Sequence, residues 1–157
     1  MKVKLLIFFL AFWMAPSVLI DFVAAPAIFR NVSNIEEAGT LGMVIFKAFN
    51  SLELALSLII FVLAFSLSKS NIIKKPWLIL FSALVMWAGF FRFYLSPSII
   101  EINKERYQLS EESEQFEILS KEHRFYHKLY VKMEGAKVIF LLVGVIMVFR
   151  IREEQEI

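Results

Sequence analysis

Polar and apolar positions fall into long blocks along this chain. Four hydrophobic stretches, Leu5–Phe29, Leu41–Leu67, Trp77–Leu95 and Leu129–Phe149, are separated by polar segments. A helix needs roughly 20 residues to cross about 30 Å of hydrocarbon, and each stretch supplies that length. The pattern predicts an all-α protein, a four-helix transmembrane bundle with spans at about 5–29, 41–67, 77–95 and 129–149. Residues 1–157 then form a single integral membrane domain, with no room for a separate soluble one.

The boundaries carry local signals. Glu36 and Glu37 suit the start of the second helix, where the backbone dipole is positive. Pro76 before Trp77 fits entry into the third. Pro97 disfavours helix and restricts Ser96, so the third helix is expected to stop there. Pro16 and Pro26 are expected to kink the first span. Ser110 followed by Glu111, Glu112 and Glu114 reads as an N-cap with an acidic first turn. No proline follows before Arg150, which predicts a last helix of about 40 residues. Its first part, about 110–128, forms an extramembrane arm. Phe116, Leu119, His123 and Tyr126 recur there at helical spacing, so the arm is expected to pack on the rest of the protein.

The N-terminus imitates a signal peptide: Lys2 and Lys4, an apolar run from Leu5 to Trp13, then small residues at Ala24, Ala25 and Ala27. Apolar character continues through Ile28, longer than a signal core, and Pro26 interrupts the imitation. A retained first span is expected.

Composition narrows the function classes. The chain is 59% hydrophobic with a mean hydropathy of +0.66, well above a soluble domain. A net charge of +2, with basic residues mostly outside the spans, gives no nucleic-acid surface. The absence of cysteine removes disulfides, thiolate metal sites and cysteine catalysis. Lys2, Lys4, Lys69, Lys74, Lys75, Arg150 and Arg152 fall on one side of a four-span topology, and the opposite short loop offers only Arg30. The positive-inside rule then predicts cytoplasmic termini, in the plasma membrane or, for a bacterial source, the inner membrane.

Ionisable groups inside spans are costly and normally face the bundle interior or a wet cavity. Here they are Asp21, Lys47, Glu53, Arg92, Glu134 and Lys137. Counted from their cytoplasmic ends, Asp21 stands about 25 Å deep and Glu53, Arg92 and Glu134 about 21–22 Å. Four helices thus bring charge to one level. Lys47, Asn50 and Glu53 are spaced three apart on one drifting face, and His127, Tyr130 and Glu134 run along another. Asp21, Asn50, Glu53, Arg92, His127 and Glu134 are the candidate ligand-binding residues. Arg92 is expected within salt-bridge or one-water reach of at least one of the three carboxylates. The same charges could instead be structural, holding helices together or snorkelling to headgroups. His123 and His127 form an i,i+4 pair able to share a metal, but no third ligand accompanies them and no HExxH is present. No cofactor is predicted. Small residues at Ala38, Gly39 and Gly42, and at Ala24–Ala27, predict close approach of the first two helices.

These residues also carry a resemblance. Phe22-Val23-Ala24-Ala25-Pro26-Ala27-Ile28-Phe29-Arg30, then Glu37-Ala38-Gly39, Phe46 and Asn50, resembles the front half of the transmembrane-protein-205-like family. Tyr94-Leu95-Ser96-Pro97 resembles its motif after the third span, and Phe116 with the His127–Glu134 segment its closing motif. The resemblance implies a four-helix integral membrane protein of unknown activity, with Pro26, Phe29, Gly39, Asn50, Pro97 and His127 as motif residues.

Three functions compete on the sequence alone. One is a protein that binds a small ligand or ion in an outward-facing polar pocket. Another is a structural or partner-binding protein, whose partners are the bilayer and a second copy or another membrane protein. The third is a haem- or metal-binding redox protein using His123 or His127. An enzyme is the less expected class.

Overall fold

The computed structural model describes residues 1–156, with side chains for all but Ile35 and 152–156. Four helices run up and down in turn: α1 (Lys2–Asn31), α2 (Ile35–Lys69), α3 (Lys75–Tyr107) and α4 (Glu114–Glu156). No strand occurs among the described residues. Asn34 caps α2, its side-chain oxygen accepting from the backbone N–H groups of Glu36 (2.8 Å) and Glu37 (3.4 Å). At the other end Asn71 takes a left-handed φ of 55°, a conformation asparagine tolerates, and turns the chain toward α3.

Helix α2 shows why the bundle forms. Phe49, Asn50, Glu53, Leu56, Ser57, Ile60, Ala64 and Leu67 are buried, a stripe at spacings of three and four. Val44, Ile59, Val62 and Phe65 lie outside the stripe, exposed yet apolar. The other helices repeat this arrangement. Near the termini, Leu6, Leu10, Trp13, Ile60, Phe81, Leu84, Leu141 and Val148 share one core. The termini lie at the same end: Lys2 Nζ donates to Ser66 Oγ near the end of α2 (2.7 Å), and Val3 and Met147 join the same core. A second, smaller core of Phe91, Leu95 and Tyr130 occupies the far half.

Helices α1, α2 and α3 are each long and apolar enough to cross a membrane. Helix α4 is not an apolar span, contrary to the expectation for 129–149. Every 18-residue window there contains Lys132, Glu134 and Lys137. Glu134 and Lys137 turn inward and are buried, whereas Ile139, Phe140, Leu142, Val143 and Ile146 face outward.

The third helix does not stop at Pro97. A π turn at Phe91–Leu95 precedes it, and Ser96 N–H donates to Phe91 O, a five-residue reach. The same device occurs in α1. A π turn at Ile20–Ala24 is closed by Ala25 N–H donating to Ile20 O, and Pro26 follows. Proline lacks the N–H that the regular ladder needs and crowds the carbonyl four residues back; a widened turn just before it absorbs both defects. The helix therefore continues to Tyr107, and the connection to α4 is short. Pro16, by contrast, stands inside regular α-helix. Helix α4 starts three residues later than expected. Ser113 Oγ accepts from Phe116 N–H (3.2 Å), while Ser110 caps only the preceding turn. The arm is not free: it packs along the prolonged end of α3, with Leu119 buried.

Candidate functional site

Two polar features occupy the upper half of the bundle, away from the termini. The first is a dry knot between the two cores. Lys137 is 0% exposed and bridges Glu53 Oε1 and Glu134 Oε2. Its ammonium lies 5.5 Å from the ring centres of both Phe49 and Phe91, so aromatic faces share in stabilising it. Glu53, also 0% exposed, accepts from Trp13 Nε1 at 2.8 Å, and Ser17 Oγ stands 3.3 Å from the same oxygen. Beside the knot, Tyr130 Oη donates to Asn50 Oδ1 (3.2 Å), while its ring stacks on Phe91 and meets Phe46 edge-on.

The second feature is a cavity of about 700 Å³. Its walls come from Asp21–Phe29 of α1, Gly39–Phe46 of α2, Ser96–Tyr107 of α3 and His123–Glu134 of α4. The prolongation of α3 past Pro97 builds one whole wall. Asp21 sits in the π turn of α1, which places its carboxyl at the floor with Glu134. The mouth carries Arg106 and His123; the Arg106 guanidinium lies over the rings of Tyr107 (5.3 Å) and Phe116 (5.9 Å).

The structure divides the sequence candidates. Asp21, His127 and Glu134 line the cavity, as do Pro26, Phe29 and Gly39. Glu53 belongs to the knot and touches the cavity only through Lys137 and Glu134. Asn50 is reached through Tyr130. Pro97 lines nothing but sets the path of α3. Of the salt-bridge or one-water reach expected for Arg92, the direct salt bridge is not made among the described residues; its guanidinium lies over the neighbouring Phe93 ring (5.7 Å). Lys137 takes that place. Lys47 is exposed, because the three-residue drift that keeps Asn50 and Glu53 inside carries Lys47 off the face. Trp13, Ser17, Asn103, Arg106 and Tyr107 are not legible as site residues in the sequence. In a span an aromatic or a serine reads as packing, and the last three lie beyond the proline expected to end α3.

A family model described as a domain of unknown function (DUF4149) matches residues 8–108. The chain belongs to this family. The DUF4149 match covers α1 from residue 8, together with α2 and α3, and so takes in Asp21, Glu53, Asn103 and Arg106. It ends before α4, which contributes His123, His127, Tyr130, Glu134 and Lys137. No curated protein and no solved structure matches the chain.

In this DUF4149 protein the two histidines stack with ring centres 5.9 Å apart. No cluster of three or more His, Asp or Glu able to hold a metal ion occurs among the described residues. Burial first, and then the positive charge of Arg106, hold His123 down at about 4. A depressed value means that the folded state resists protonation. The contribution of His123 is therefore complete above pH 6.5 and is lost as pH falls from there toward 4. Melting curves in detergent at stepped pH should show the wild type losing more stability over this window than His123→Gln. Parallel curves for the two proteins would contradict a neutral His123.

Proposed function

We propose that this membrane protein binds a small amphipathic molecule in the cavity at the end of the bundle away from the termini. The carrying observation is the cavity itself. Its volume of about 700 Å³ falls in the range of small-molecule pockets, roughly 300–1,000 Å³. Phe22, Phe29, Phe46 and Ile99 give it apolar walls, and a few polar groups stand at floor and mouth. The motif residues of the transmembrane-protein-205-like resemblance support the same reading, because Pro26, Phe29, Gly39 and His127 all border this space.

In the same reading all four helices cross the bilayer. Helix α4 does so with Glu134 and Lys137 turned inward toward Glu53, with Lys132 exposed, and with its outer face, Ile139, Phe140, Leu142, Val143 and Ile146, toward the acyl chains. An exposed apolar belt on every helix is what lipid contact requires and water penalises. Lys2, Lys4, Lys69, Lys74 and Lys75 at the terminal end favour cytoplasmic termini. The cavity then faces the opposite side. The Glu53–Lys137 knot is the structural part of the bundle, and the cavity is the binding part.

The neutral dye N-phenyl-1-naphthylamine tests this with protein held in amphipol. Val131 and Met43 both border the cavity, on α4 and α2, so a larger side chain at either can fill part of it. Val131→Phe and Met43→Phe are each expected to weaken dye binding at least tenfold, about 1.4 kcal/mol, with the melting temperature of the empty protein unchanged. Unchanged dye binding in both variants would place the dye on the lipid-facing surface and end the cavity reading.

A further inference from the structure

We propose that the molecule bound in this cavity is a lipophilic organic cation. Its charged centre seats against Asp21 and Glu134, and its apolar body lies along Phe22, Phe29 and Phe46. This inference rests on the cavity being a binding site and adds the charge of what it binds.

The first argument is a count of charges. Asp21, Glu53 and Glu134 lie near a single buried ammonium, that of Lys137, which pairs with the two glutamates. Lys137 already bridges Glu53 and Glu134, so Asp21 has no cation of its own. A buried carboxylate without a counter-charge is costly, and a positive ligand relieves that cost.

The second argument is which polar atoms lack partners. Glu134 is 2% exposed and lines the cavity, yet its Oε1 has no hydrogen-bond partner. Asn103 is 5% exposed, and its Oδ1 is likewise unpartnered in the cavity wall. Both oxygens of Asp21 are in the same state, apart from a carboxyl–carboxyl contact with Glu134 in which the two groups can share one proton. All four atoms are acceptors, against one unpartnered donor in the lining, Arg106 Nε, at the other end of the cavity; buried acceptors are normally satisfied. The complementary ligand brings positive charge or N–H donors.

The size and lining exclude a bare inorganic ion as the natural occupant. A single ion leaves most of about 700 Å³ unfilled, and the described residues hold no set of three metal ligands. An anionic ligand is disfavoured by position. Arg106, the one cationic side chain lining the cavity among the described residues, stands at the mouth beside His123. The rise of α4 from His123 to Glu134 puts that mouth about 16 Å from the floor. Its guanidinium is also engaged with two aromatic rings.

Two size-matched ions of opposite charge provide the test. Tetraphenylphosphonium and tetraphenylborate have the same shape, so their difference reports only the sign of charge. Each is titrated against N-phenyl-1-naphthylamine bound to the full-length protein in amphipol. Tetraphenylphosphonium is expected to displace the dye at least tenfold more effectively than tetraphenylborate. Asp21→Asn is expected to reduce that preference at least tenfold, with each ion's displacement referred to the dye affinity measured for the variant itself. Equal displacement by both ions, or stronger displacement by the borate, overturns the cation inference and leaves the cavity reading standing. Dye binding that neither ion displaces does the same. Failure of the dye itself to bind the cavity ends the underlying reading. If Asp21→Asn does not fold, the preference of the wild-type protein for one ion over the other still decides.

Discussion

Replacing Lys137 with methionine should destabilise the bundle by about 3–5 kcal/mol, the range found when one partner of a buried ion pair is removed. The side chain is 0% exposed and holds Glu53 and Glu134 together. Methionine fills similar volume, so the loss is electrostatic rather than steric. Two carboxylates would remain in a low-dielectric interior with no cation between them. The Trp13 and Ser17 donors to Glu53 would persist but could not replace a charge. A loss this large approaches the whole stability of a small domain, so low yield of folded Lys137→Met protein is part of the expected result. The decisive comparison adds Glu53→Gln and Glu134→Gln to Lys137→Met. The triple variant has no buried charge in the knot, and the glutamine at position 53 can still accept from Trp13. It should recover most of the lost stability in thermal or denaturant unfolding. A single Lys137→Met variant that unfolds with the wild type would show the knot to be energetically idle. A triple variant no better than the single one would show that Lys137 acts through packing alone.

The knot also shows which features are readable from the sequence and which are not. Helical rise along a span can be counted, so the common depth of Glu53 and Glu134 follows from residue spacing, and Lys137 stands out as a charge within an apolar run. Azimuth does not follow. Arg92 lies at the counted depth but within the π turn Phe91–Leu95, where a widened turn changes which face each position presents. It leans on Phe93 instead of a carboxylate. The four helices follow from blocks of apolar residues, whereas an apolar fourth span is the wrong expectation because length alone does not outweigh three charges. The largest gap concerns the cavity. Asp21, His127 and Glu134 are legible because polar groups in apolar runs stand out. Asn103, Arg106 and Tyr107 are hidden behind Pro97, since a proline usually ends a helix and here a preceding π turn lets it begin a new segment. That extension supplies the wall on which both the cavity and the packing of α4 depend.

Gly39→Ala is expected to destabilise the protein by about 1–2 kcal/mol, against the direction that local propensity predicts. Within a helix, alanine is favoured over glycine by roughly 0.8–1.0 kcal/mol, so an isolated α2 would gain from the change. In the folded bundle a methyl group at Gly39 would overlap Tyr107 Oη, where α3 meets the start of α2 at the cavity wall. Steric overlap in a packed site costs about 1–3 kcal/mol, and Tyr107 is half-buried with some freedom to tilt, so the lower part of that range applies. The sign should reverse in a Tyr107→Phe background. With the hydroxyl gone, the nearest remaining ring atom, Cζ, stands 3.4 Å from the new methyl position, an ordinary contact. Alanine at position 39 should then stabilise by up to about 1 kcal/mol through propensity alone. A double-mutant cycle in detergent, read by melting temperature, isolates this coupling between the two residues. Additive effects of Gly39→Ala and Tyr107→Phe would mean that the hydroxyl does not press on α2. A non-additive cycle with the expected reversal would locate the close approach of α2 and α3 at the Tyr107 hydroxyl, and with it the position of the wall that α3 contributes beyond Pro97.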